Sequence, residues 1–97
     1  MSRPNLATEK EIEIALSDLP NWVRNDKEIN RELVASNFAA ALGIANAVGV
    51  IAEKNDHHPD ILLYGWNKVK ITLSTHDQGG LTELDFKVAK EIDDLKF

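Results

Sequence analysis

The chain has 97 residues, 43% of them hydrophobic, with a formal net charge of −5 and no cysteine. That length supports one domain with one core over residues 1–97 and leaves no room for a second. The acidic balance argues against a nucleic-acid partner, which needs clustered Lys and Arg. The lack of cysteine removes any disulfide framework, thiol nucleophile or Cys-based zinc site and suits a reducing, cytoplasmic setting.

The first residues, Met-Ser-Arg-Pro-Asn, carry no apolar run and read as no secretory signal. Thr8 followed by Glu11 is a capping-box pattern. Ile12, Ala15, Leu16 and Leu19 then fall at helical spacing, and Pro20 stops the helix. Trp22-Val23-Arg24 reads as a short strand, Asn25-Asp26-Lys27 as a turn, and Glu28 to Ala35 as the partner strand.

Asn37 is placed to cap a long second helix that runs to about Asn55. Phe38, Ala41, Leu42, Ala45, Val48, Ile51 and Ala52 make one stripe along it. Leu33 to Ala52 is uncharged but holds Ser36, Asn37 and Asn46. Its apolar part falls short of the roughly 20 residues a membrane span requires, so a buried helix and no membrane partner are predicted. Ala40, Gly43, Ala47 and Val50 form a second small or apolar face. A helix apolar nearly all round must bury both faces. The expectation is a homodimer or homotetramer joined through the helix at 37–55.

After Pro59 the pattern turns to strands. Ile61 to Tyr64 is rich in strand formers, Gly65-Trp66-Asn67 supplies a turn, and Val69, Ile71, Leu73 and Thr75 alternate with Lys68, Lys70, Thr72, Ser74 and His76. Gln78-Gly79-Gly80 breaks the strand, with the glycines supplying positive φ or a close approach. Thr82 with Asp85 is a second capping pattern, and Leu84, Val88, Ile92 and Leu95 mark a last helix. The order α-β-β-α-β-β-α predicts an α+β fold, a four-stranded antiparallel sheet with helices on one face.

All three histidines lie in two clusters, Glu53-Lys54-Asn55-Asp56-His57-His58-Pro59 and Thr75-His76-Asp77. In an antiparallel hairpin the start of one strand meets the end of the next. His57, His58 and His76 should therefore converge at one edge of the sheet. Imidazoles flanked by carboxylates can give and take protons near neutral pH. Pro59 biases His58 toward extended geometry, so both members of the pair face one pocket only if the backbone turns there. Asp56 reads as a turn or pocket residue, and Asp85 equally as a cap or a site residue. Tyr64 and Trp66 read as packing residues that could line the pocket.

Glu53-x-x-x-His57-His58-Pro59, Trp66 after six residues, His76 after nine more and Asp85 after a further eight resemble the signature of the pterin-4a-carbinolamine dehydratases. Lys68 to Asp77 is similar to that family's core strand. The resemblance implies a four-stranded antiparallel sheet with three helices on one side. It also implies dehydration of 4a-hydroxytetrahydrobiopterin to the quinonoid dihydrobiopterin without metal or organic cofactor. Carried over, the catalytic residues are His57, His58 and His76. Glu53, Asp56, Pro59, Ser74, Thr75, Asp77 and Asp85 support or contact the pterin. The chain departs from the family pattern at Ile61, where many members carry Trp, at Leu84, where animal forms carry Arg, and in a hairpin one residue longer than theirs.

Two other classes compete. Three histidines with Asp could hold zinc, although an adjacent pair lacks the helical His-x-x-x-His spacing of common sites. The chain could also be an interaction module, like the transcriptional coactivators of the family's animal branch, or a pterin-binding protein of molybdenum-cofactor metabolism.

Overall fold

The computed structural model describes residues 4–96, so the reading of the extreme N-terminus lies partly outside the described residues. The three α-helices start where local chemistry says they should. Helix Glu9–Ser17 (α1) opens on a reciprocal box: Glu11 N–H donates to Thr8 Oγ1 at 3.1 Å and Thr8 N–H to Glu11 Oε1 at 2.8 Å. Strand Val23–Asn25 (β1) and strand Glu28–Val34 (β2) flank a two-residue turn, Asp26-Lys27. Asp26 takes φ +56°, a left-handed conformation that Asp tolerates better than most residues. Helix Phe38–Asn55 (α2) is capped by Asn37, whose side-chain oxygen accepts from Ala40 N–H at 2.7 Å.

Strand Asp60–Tyr64 (β3) and strand Lys68–Leu73 (β4) form the second hairpin, across the loop 65–67. A 3-10 turn, His76–Gln78, follows, and Gly79 takes φ +76° to leave it, a conformation that costs glycine little. Helix Glu83–Asp93 (α3) closes the chain on a second capping box, Thr82 with Asp85.

The sheet order is β1-β2-β4-β3, antiparallel throughout. Ile29 pairs with Leu73 and Leu33 with Val69 at its centre, and all four are buried. Their side chains meet Ile44, Val48, Ile51, Val88 and Ile92 of the helices. The opposite face carries Asn30, Lys68, Lys70 and Thr72. The architecture is α+β, in the expected order of elements.

One inward position departs from simple patterning. Arg31 pairs with Ile71 and so points to the core side. Asp93 of α3 meets it there at 2.6 Å and also accepts the Trp22 indole N–H at 2.8 Å. Pairing is what lets a cation sit only 18% exposed.

Helix α2 corrects the predicted stripe. Its buried residues are Ala41, Ile44, Val48, Ile51 and Ala52, whereas Phe38 and Leu42 are exposed. A helix with apolar residues on every side gives its own phase away poorly, and the sheet decides which side is covered. The second face shifts with it. Ala40, Gly43 and Ala47 line a cavity of about 570 Å³ shared with Leu33 and Leu95. Val50 remains outward and is 71% exposed. Strand β4 ends two residues before the predicted Thr75, because Thr75 forms a bridge to Gly80 and the chain then coils. No helix among the described residues is long and apolar enough to cross a membrane.

Candidate active site

Helix α2 ends in a way that sorts the two adjacent histidines. Asp56 adopts left-handed backbone (φ +49°), and His57 N–H reaches back to Ala52 C=O at 3.1 Å. This is the six-to-one bond of a Schellman-type helix end. The chain swings inward, and His57 is buried at 5% exposure. Its Nε2 lies 2.6 Å from Asp85 Oδ1, and Asp85 is fully buried. His58, the next residue, turns outward, and its Nε2 meets Glu53 Oε1 at 2.8 Å on the surface. The pair does not share a pocket.

Asp85 carries most of the internal wiring. Its Oδ2 accepts from Thr82 N–H at 2.9 Å and from the Thr75 hydroxyl at 2.8 Å. The Thr82 hydroxyl lies 2.8 Å from that of Thr75 and completes the chain. Thr75 is consequently spent inside, at 2% exposure, rather than presenting its side chain to a ligand. A carboxylate only accepts, so the shared proton lies on His57 Nε2 and Nδ1 is the nitrogen left for other work. The N3 member of the α3 capping box and the partner of His57 are one and the same residue here.

His76 sits elsewhere on the same corner. It lines an open depression of about 420 Å³ with Ser74, Gly79 and the residues Asn25 to Glu28 of the β1–β2 hairpin, and neither His57 nor His58 is part of that wall. The two histidine-bearing segments do meet, through the Asp60–Thr72 pairing and through Thr75, Asp85 and His57. The three imidazoles thus share one corner at different depths, His57 buried, His58 at the surface and His76 in the wall of the depression. Asp56 serves as the C-cap of α2, Pro59 is half-buried, and Asp77 is exposed on the 3-10 turn outside the depression. Tyr64 and Trp66 are exposed on the hairpin; the Tyr64 hydroxyl donates to Glu32 and that bond raises the pKa of the phenol. Among the described residues no group of three His, Asp or Glu side chains is arranged to hold a metal ion.

The sequence marks the segment that walls the depression only as a turn. It is braced from two sides. Ser74 donates its hydroxyl to Lys27 C=O at 2.7 Å, and Arg24 Nε donates to Asp26 C=O at 2.9 Å. Arg24 also grips Glu9 with both terminal nitrogens and holds that carboxyl below its ordinary range.

The family described as "Pterin 4 alpha carbinolamine dehydratase" matches residues 5–95. The chain belongs to that family. A relative in Nocardia farcinica is 44% identical over 93% of this chain and 94% of its own length, and one in Acidobacterium capsulatum is 47% identical over 91% and 95%. Each bears the name "Putative pterin-4-alpha-carbinolamine dehydratase". A crystal structure described as a transcriptional coactivator/pterin dehydratase from Brucella melitensis superposes with a TM-score of 0.84 at 37% identity, over 92% of this chain and 96% of that one. A pterin dehydratase-like RuBisCO assembly factor of the alpha-carboxysome shares the fold at a TM-score of 0.58 and 20% identity, over 74% and 82%.

Proposed function

We propose that this member of the pterin carbinolamine dehydratase family removes water from a 4a-hydroxytetrahydropterin, 4a-hydroxytetrahydrobiopterin in the first instance, to give the quinonoid dihydropterin. The single observation that carries the reading is the buried His57–Asp85 pair, 2.6 Å apart and wired to the residue next to His76. The chemistry needs only proton movement. The C4a–O bond breaks, the oxygen takes a proton from an acid and leaves as water. The lone pair of the adjacent ring nitrogen forms the new C=N bond, and a base takes a ring N–H proton.

His57, His58 and His76 are the groups proposed to carry those protons. Asp85 and Thr75 fix His57 in one tautomer and orientation, and Glu53 does the same for His58. Ser74 shapes the wall at His76, while Asp56, Pro59 and Asp77 set the course of the two segments that bear the histidines. General acid–base catalysis of this kind contributes about 10²–10⁴-fold. Neither a metal nor an organic cofactor is called for by these steps. The proposed setting is the cytoplasm, with no nucleic-acid partner, in keeping with the charge of −5.

The oligomer belongs to the same proposal. Phe38, Leu42 and Val50 are exposed on α2. Soluble monomers rarely leave such surface wet. A homodimer or homotetramer through α2 would cover it; a coactivator-like partner protein is the second occupant this surface would suit.

Stopped-flow absorbance on a freshly generated hydroxytetrahydropterin tests the activity. The expected result is a rate well above buffer that EDTA leaves intact. No acceleration would sink the enzyme reading, and loss with EDTA restored by zinc would move it to a metalloenzyme.

A further inference from the structure

The corner that holds His76 contains a carboxylate with no assigned task. Glu28 opens β2. Its neighbour Ile29 pairs with Leu73, and both are buried on the helix side. Alternation therefore puts Glu28 and Ser74 together on the outer side of the sheet, where both line the depression at His76. Glu28 is half-buried, yet its carboxylate has no hydrogen-bond or ion-pair partner among the described residues. The turn that presents it is held by Ser74 and by Arg24, so the position is set before any ligand arrives.

A preset carboxylate facing an imidazole across an open depression fits one part of the proposed substrate. The pyrimidine half of a pterin offers two donors side by side, the ring N3–H and the 2-amino group. A carboxylate accepts both at once, in the paired geometry that makes charge-assisted bonds strong. The other charged groups of the depression do not fit as well. Lys27 has only donors to offer, and Asp26 is exposed at the tip of the turn. With the pyrimidine edge at Glu28, the far half of the bicycle lies toward His76.

We infer that Glu28 binds the 2-amino-4-oxopyrimidine edge of the substrate and sets the preference for pterins over pteridines that lack the amino group. This rests on the dehydratase reading above and adds a binding residue from the start of β2.

The test compares two stable probes by fluorescence titration: oxidised pterin, and lumazine, which carries oxygen in place of the 2-amino group. Wild type is expected to favour pterin. Glu28→Gln, close to isosteric, should weaken pterin about tenfold or more, as loss of a charge-assisted pair does, while lumazine changes less than about twofold. In turnover the loss should fall on KM more than on kcat, and Glu28→Asp should recover part of it. Equal weakening of both probes, or none, overturns the assignment. If wild type dehydrates the substrate and Glu28→Gln matches it on both probes, only the Glu28 inference fails. If wild type neither binds pterin nor dehydrates, both readings fall together.

Discussion

His57 and His58 are adjacent in sequence and opposite in environment. One is sealed against a buried carboxylate, and the other stands in solvent beside Glu53. Different consequences follow for substitution. His58→Ala and His76→Ala remove surface imidazoles, so each should lower the dehydration rate at least tenfold with the fold intact by circular dichroism. Wild-type rates in both variants would refute the proposed acid–base roles. Asp85→Ala should act on stability as well. It breaks the capping box of α3, worth about 1 kcal/mol, and strands Thr75 and His57 inside without their acceptor. A loss of about 2–4 kcal/mol in urea unfolding is expected on those grounds. A cost of about 1 kcal/mol or less would show that capping is all Asp85 contributes.

At the scale of elements, α2 and α3 are stapled by a polar cluster at their exposed flank. Lys54 Nζ lies 2.6 Å from Glu91 Oε1, and the Asn55 amide reaches both Glu91 oxygens. The hydrogen bond from Lys54, chiefly, holds the Glu91 carboxyl below its ordinary range. The folded state therefore binds that proton less readily than the unfolded chain does. The staple's contribution is present above the ordinary carboxylate range and is lost as pH falls through the depressed value. Water screens the pair, since Lys54 is 66% exposed, and the contribution should stay under about 1 kcal/mol. Chemical denaturation of Glu91→Gln against wild type checks this. The difference should be small at neutral pH and vanish in acid; a difference that grows on acidification would contradict the sign.

At the scale of the molecule, the outer side of α2 decides the assembly. The small residues Ala40 and Ala47 are half-buried and line a cavity within the chain itself, so the substitutions that probe the outer surface are Leu42→Glu and Val50→Glu. Either should shift the protein toward smaller species without unfolding it, because the replaced side chains touch little of their own core. Light scattering of the wild type at micromolar concentration should give a multiple of 10.8 kDa. A monomeric mass would overturn the oligomer, and a monomer that loses a bound protein partner on Leu42→Glu would favour the interaction module.

What could be read from the residues alone is short-range. Thr8 with Glu11, Thr82 with Asp85 and Asn37 before Phe38 announce helix starts because a cap and its amide lie within three positions of one another. The alternation from Lys68 to Leu73 marks the buried side of β4 for the same reason. The histidine clusters and the family signature are likewise contiguous patterns. Tertiary structure decided the rest. Alternation tells which side of a strand is buried but not which strand lies beside it. Only the order β1-β2-β4-β3 brings Glu28 to Ser74 and His76. The left-handed turn at Asp56, not the identity of the residues, sends His57 inward and His58 outward. The phase of α2 was open for a physical reason too. A helix apolar on all sides can be buried along several stripes, and it is the sheet beneath that selects Ile44 and releases Leu42.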